Sequence, residues 1–107
     1  MKICIVILFS LFYNMLFAQE SDMIIRISEI EITPSFLKEY LDILNEEAGE
    51  SVRIEPGVIS IFPMFQKENP NQIRILEIYA DKSAYESHLK TKHFLKYKTT
   101  TIKMVKS

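Results

Sequence analysis

The hydrophobic period of this chain switches repeatedly along its length, and the order of the switches is the strongest constraint on its fold. Apolar and polar residues alternate from Ile25 (Ile25, Ile27, then Ile30 and Ile32 after a one-residue slip), which predicts a half-buried strand, a bulge being one reading of the slip. Thr33 and Pro34 carry an N-cap and first-turn signal, and Phe36, Leu37, Tyr40, Leu41, Leu44 and Ala48 then recur at helical spacing until Gly49. Glu55-Pro56-Gly57 reads as a turn. The β-branched and aromatic run Val58 to Gln66 follows, and it contains Pro63, which cannot donate to a ladder and so places that strand at an edge or a bulge. After the turn cluster 67–71, Ile73, Ile75, Glu77 and Tyr79 alternate with Arg74, Leu76, Ile78 and Ala80, so the two runs predict an antiparallel hairpin. Asp81 caps a helix bearing Ala84, Tyr85, His88 and Leu89, and Thr91 opens a further helical stretch from His93 to about Val105. The order β-α-β-β-α is most of the split βαβ, ferredoxin-like α+β arrangement. A last strand after the helix is missing from this pattern, so either the sequence continues or an exposed sheet edge needs a partner to cover it.

The first residues read as an export signal. Lys2 is the only charge before Glu20, an apolar run from Ile3 to Phe17 follows it, and Ala18 supplies the small residue at a cleavage site. A spanning helix needs roughly 20 apolar residues, and Ser10 and Asn14 interrupt this shorter run, so a secretory leader over 1–18 is preferred to an uncleaved anchor. The expectation is a secreted or periplasmic domain over 19–107, with no stable membrane span once the leader is removed. Cys4, the only cysteine, leaves with the leader, so the mature domain has no disulfide, thiol nucleophile or thiolate ligand.

Composition removes whole classes of function. A net charge of −1 gives no global attraction to nucleic acid, and the lysines crowded between Lys90 and Lys106 read first as a solvated helix face. Two glycines cannot build a phosphate-binding loop, and the chain has no hydrolase triad context, so no cofactor is expected.

His88 and His93 are the only histidines. On one continuous helix they would point about 140° apart, so a shared metal would need a helix break between them and a carboxylate. His93 and Tyr97, spaced i and i+4, lie on one face and can reach a common cavity. There an imidazole could move a proton and a phenol could orient a substrate oxygen; a capping or packing histidine fits the spacing equally well. Glu77 and Tyr79 share one side of their strand with Ile73 and Ile75, where Glu77 is a candidate orienter or base if that side faces a pocket. The cluster Phe62, Met64 and Phe65 reads as core, interface or pocket lining.

Glu55-Pro56-Gly57-Val58, the hairpin end Leu76-Glu77-Ile78-Tyr79-Ala80-Asp81, Ala84-Tyr85 and the segment His88-Leu89-Lys90-Thr91-Lys92-His93-Phe94 together resemble the antibiotic biosynthesis monooxygenase family, in particular its quinol monooxygenase branch. The resemblance implies a homodimeric α+β barrel enclosing an apolar pocket in each subunit. It implies oxidation of a small aromatic or quinol by O₂ without metal or flavin, because an electron-rich phenolate can itself pass an electron to oxygen. Its position in the motif favours His93 as proton acceptor; Tyr97 and Glu77 are then the candidate orienters, and Phe62, Phe65, Tyr79 and His88 the candidate substrate contacts. A haem-degrading branch relies on a strand asparagine and a tryptophan, both missing here. A non-catalytic dimeric ligand-binding module, and an isomerase of a small signal molecule on the same fold, are the competing functions.

Overall fold

The computed structural model describes residues 22–107, and the leader expected over 1–18 lies outside them. Strand β1 (Ile24–Glu31) leads through a 3₁₀ turn (Pro34–Phe36) into helix α1 (Leu37–Ile54). Strands β2 (Val58–Phe65) and β3 (Gln72–Tyr79) form the hairpin, helices α2 (Lys82–His88) and α3 (Lys92–Thr101) follow, and a 3₁₀ turn (Ile102–Met104) closes the run. The three strands make one antiparallel sheet in the order β1-β3-β2, as a split βαβ unit requires. β2 is therefore an edge strand, which is where Pro63 can be accommodated without a lost ladder bond.

Alternation along β3 decides the two faces of the sheet. Ile73, Ile75, Glu77 and Tyr79 are buried beneath the helices, whereas Arg74, Leu76 and Ile78 look the other way and are only half-buried. Across the ladder Ile24 pairs with Tyr79, Arg26 with Glu77, Ser28 with Ile75 and Ile30 with Ile73, so those β1 residues share the inner face. This corrects the reading of β1. The register runs from Ile24 to Glu31 without a shift, so there is no bulge; the slip in the pattern marks a change of face. Ile25 and Ile27 are outward, 64% and 63% exposed, and the inward places between Ile24 and Ile30 are held by the polar Arg26 and Ser28.

The core under the inner face joins Tyr40, Leu44 and Ala48 of α1 to Val58, Ile61, Ile73, Ile75 and Tyr79, with Ile32 and Met104 at one end. Fully buried side chains such as Leu44 and Ile73 contribute roughly 2 kcal/mol each. That packing carries α1 past the expected stop. Gly49 lies inside the helix, and the cost of an interior glycine, about 1 kcal/mol, is offset by the buried turn of Glu47, Ala48 and Ser51 around it.

The expected absence of a final strand also needs adjustment. Val105 makes an antiparallel bridge to Ile32, and the Lys106 N–H donates to the Glu31 carbonyl at 2.8 Å, so the chain end lies along β1 where a fourth strand would stand. Among the described residues no helix is long and apolar enough to cross a membrane.

Candidate functional site

The site is assembled by one turn and one helix break. Pro56 disfavours helical backbone at the residue before it, and Glu55 accordingly leaves α1 in an extended conformation (φ −97°, ψ 108°). Gly57 then lets α2 approach closely, since a Cβ at that position would collide with the Cβ of Ala84. The Ala80 N–H donates to the Gly57 carbonyl at 2.8 Å, and the Asp81 carboxylate accepts from the Ala84 N–H at 2.7 Å, which fixes the start of α2. α2 ends at His88. Thr91 caps α3 by accepting from the Phe94 N–H, and its hydroxyl donates back to the His88 carbonyl at 2.8 Å.

Because the helix is broken between them, the two histidines converge. Their ring centroids are 6.2 Å apart, and both rings bind one oxygen of Glu55: His88 Nδ1 at 2.9 Å and His93 Nε2 at 2.6 Å from Oε2. An imidazole that gives its N–H to a carboxylate keeps its other nitrogen as a lone-pair donor. For His88 that nitrogen is Nε2, which stands 3.5 Å from Oε1 of the buried Glu47. The ring of His88 is held between Phe94 and Tyr79, with centroids at 5.0 and 5.5 Å.

Glu47 comes from the buried stripe of α1. Burial holds its carboxyl above the ordinary range, against the opposing pull of the Ser51 hydroxyl and the histidines. Ser51 Oγ is 2.8 Å from both the Glu47 carbonyl and Oε1. The Ser51 hydroxyl donates to both as a shared, three-centre hydrogen bond.

A second polar cluster sits on the sheet. Glu77 accepts from Tyr79 OH at 2.6 Å, from Arg26 Nη1 at 3.2 Å and from the Ser28 hydroxyl. Burial and the Glu77 contact push the Tyr79 phenol far up, so it remains a donor. Tyr97 and Tyr40 share a hydroxyl contact of 2.6 Å, and burial raises both. Among the described residues no buried side-chain nitrogen or oxygen lacks a hydrogen-bond partner.

Two clefts meet here. The larger, about 520 Å³, lies between the inner sheet face and the helices, with Arg26, Glu47, Glu77, His88 and Tyr97 set among apolar walls such as Leu44, Ile75 and Phe94. The smaller, about 370 Å³, is reached from the α1–α3 side and is lined by Glu47, His93 and Tyr97 together with Glu46 and Lys92.

The structure thus brings together His88, Glu77 and Tyr97 at the larger cleft and sets His93 behind them, linked through Glu55. Tyr79 supports Glu77 from the core. Phe62 and Phe65 do not line that cleft. Phe62 is on the outer sheet face, because the register shift between Val58 and Ser60 sets which β2 residues turn inward, and Phe65 is at the exposed strand end. Glu47 is not among the residues the sequence marks, and Glu55 figures there only in the Glu55-Pro56-Gly57 turn motif, with no role of its own. A carboxylate inside the apolar stripe formed by Tyr40, Leu44, Ala48 and Ser51 is the signal for the first, and the residue locked before Pro56 is the signal for the second.

The sequence pattern described as antibiotic biosynthesis monooxygenase matches residues 23–100. Among solved structures, the chain is similar to a candidate antibiotic biosynthesis monooxygenase of Bacteroides thetaiotaomicron, with 47% identity and a TM-score of 0.80 over 81% of this chain and 83% of that one. It is also similar to a candidate monooxygenase of Lactobacillus acidophilus (29% identity, TM-score 0.79), covering 80% of this chain but 41% of that one. A protein of Nitrosomonas europaea shares the fold at 17% identity and a TM-score of 0.76, over 80% of this chain and 82% of that one. No curated protein matches the chain significantly.

Proposed function

The chain belongs to the antibiotic biosynthesis monooxygenase family, and from that premise we propose that it oxidises a small electron-rich aromatic, a phenol or quinol, with O₂, the substrate supplying the electrons. The observation that carries this reading is the buried imidazole of His88, oriented by Glu55 and opening into an apolar cleft large enough for one aromatic ring system. A neutral His88 Nε2 takes the phenolic proton. In a water-poor cleft the phenolate then passes one electron to O₂, and the two radicals join at ring carbon; loss of water leaves a carbonyl. For a quinol the balance is quinol plus O₂ to hydroxyquinone plus water, with four electrons reaching O₂ and no external reductant.

In this scheme Tyr97 donates a hydrogen bond to substrate oxygen, and Glu77 holds Arg26 and Tyr79 in place along the floor of the cleft. His93 acts one step back, as a positioning residue through Glu55. The acceptor role inferred for His93 from motif position therefore passes to His88, which lines the larger cleft where His93 does not.

The working unit in this proposal is a homodimer. The outer sheet face presents Ile25, Ile27 and Phe62, the last 58% exposed, as an apolar surface of the kind that packs against another sheet. Export by the leader over 1–18 would place the enzyme outside the cytoplasm. Oxygen uptake on adding a reduced benzoquinol tests the activity; uptake no faster than without protein would refute it.

A further inference from the structure

We propose that Glu47, His88 and His93 form a binding site for a divalent transition-metal ion, with Glu55 as the outer carboxylate that orients both imidazoles. The helix break between the histidines supplies the convergence that a continuous helix forbids, and α1 and its end supply the carboxylates. One donor atom from each of Glu47, His88 and His93 lies within 4.8 Å of the other two. His88 Nε2 and Glu47 Oε1 are 3.5 Å apart, long for a hydrogen bond. Two ligands of a tetrahedral zinc ion, each at about 2.1 Å from it, stand about 3.4 Å apart, so this pair already has the spacing of a metal edge.

The second indication is the hydrogen bond on the far side of the ring. His88 gives Nδ1 to Glu55 Oε2 and turns Nε2 toward Glu47, which is the carboxylate–histidine–metal arrangement that fixes a ligating tautomer. Two imidazoles and one carboxylate suit zinc, cobalt(II) or iron(II) better than calcium or magnesium, which prefer all-oxygen shells. The smaller cleft gives the ion a path in, because His93 and Glu47 line it and the His93 side chain remains 18% exposed. A bound ion takes the imidazole nitrogens that proton transfer needs, so the metal-loaded form is inactive in the quinol reaction.

Calorimetric titration of the purified protein with Zn²⁺, and the visible spectrum with Co²⁺, read binding without any substrate. The expected result is one ion per chain with a tetrahedral or five-coordinate cobalt spectrum. Affinity should fall roughly 10–100-fold in Glu55→Gln and further in Glu47→Gln and His93→Ala, each checked for native circular dichroism. Absence of saturable binding, or affinity unchanged in both Glu47→Gln and His93→Ala, would overturn the proposal and leave the oxygenase reading untouched. Glu47→Gln preserves side-chain size, so a failure of the histidine variant to fold does not remove the test.

Discussion

His88 and Glu55 are 33 residues apart in the chain, and His88 Nδ1 lies 2.9 Å from Glu55 Oε2, with both side chains largely buried. Because His93 meets the same oxygen, one carboxylate sets the tautomer and direction of both histidines. The positions of α1, α2 and α3 are locked together at that point.

Glu55→Gln is therefore expected to lower stability and to loosen the site together. Hydrogen bonds to a charged group are worth about 1.5–3 kcal/mol each, and a neutral amide retains part of them, so a loss of about 2 kcal/mol is predicted from urea unfolding. Quinol-dependent oxygen uptake should fall as well. Unchanged stability would mean that the histidines are held by packing alone.

Gly57→Ala is expected to destabilise the fold by about 1–3 kcal/mol, the usual cost of overpacking, since the new methyl meets Ala84. Adding Ala84→Gly removes the obstructing methyl. Thermal unfolding of the single and double variants checks this, and a double variant no better than the single would contradict it.

Much of this arrangement could be read from periodicity, and the failures share a cause. Strands, hairpin and the capped starts of α2 and α3 follow from local patterns, with Pro63 correctly placing β2 at an edge, whereas Thr33-Pro34 opens a 3₁₀ turn and α1 begins only at Leu37. The face of β1 did not, because Ile25 and Ile27 look like core residues until the register shows Arg26 and Ser28 turned inward toward Glu77. Gly49 looked like a helix end because the cost of a glycine is local, whereas the packing that offsets it is tertiary. Thr91 marks the helix break that lets His88 and His93 converge, but the carboxylate between them comes from another helix end, which no local pattern reveals.

The raised carboxyl of Glu47 fixes the sign of a pH effect. Burial holds its proton more tightly in the folded chain than at the ordinary value of 4.5, so its contribution to stability is complete below that pH and is lost as pH rises through the folded value. Glu47→Gln does not titrate. Measured from pH 4 upward, the melting temperature of wild type should fall relative to that of the variant; parallel curves would contradict the assignment.

Ile27→Asp tests the dimer surface. Ile27 is 63% exposed on the outer sheet face, so the fold should tolerate the change within about 0.5 kcal/mol, as surface sites do. Sedimentation should show a dimer in wild type and a monomer in the variant. An unchanged assembly would move the interface elsewhere.

Oxygen chemistry in the larger cleft through His88 can be followed with isotopically heavy oxygen gas. With a reduced quinol as substrate, one heavy atom is expected in the hydroxyquinone, and His88→Ala should lower the rate on the order of a hundredfold or more, the range for removal of a general base. Heavy oxygen recovered only in peroxide, or the same rate with His88→Ala, would contradict it.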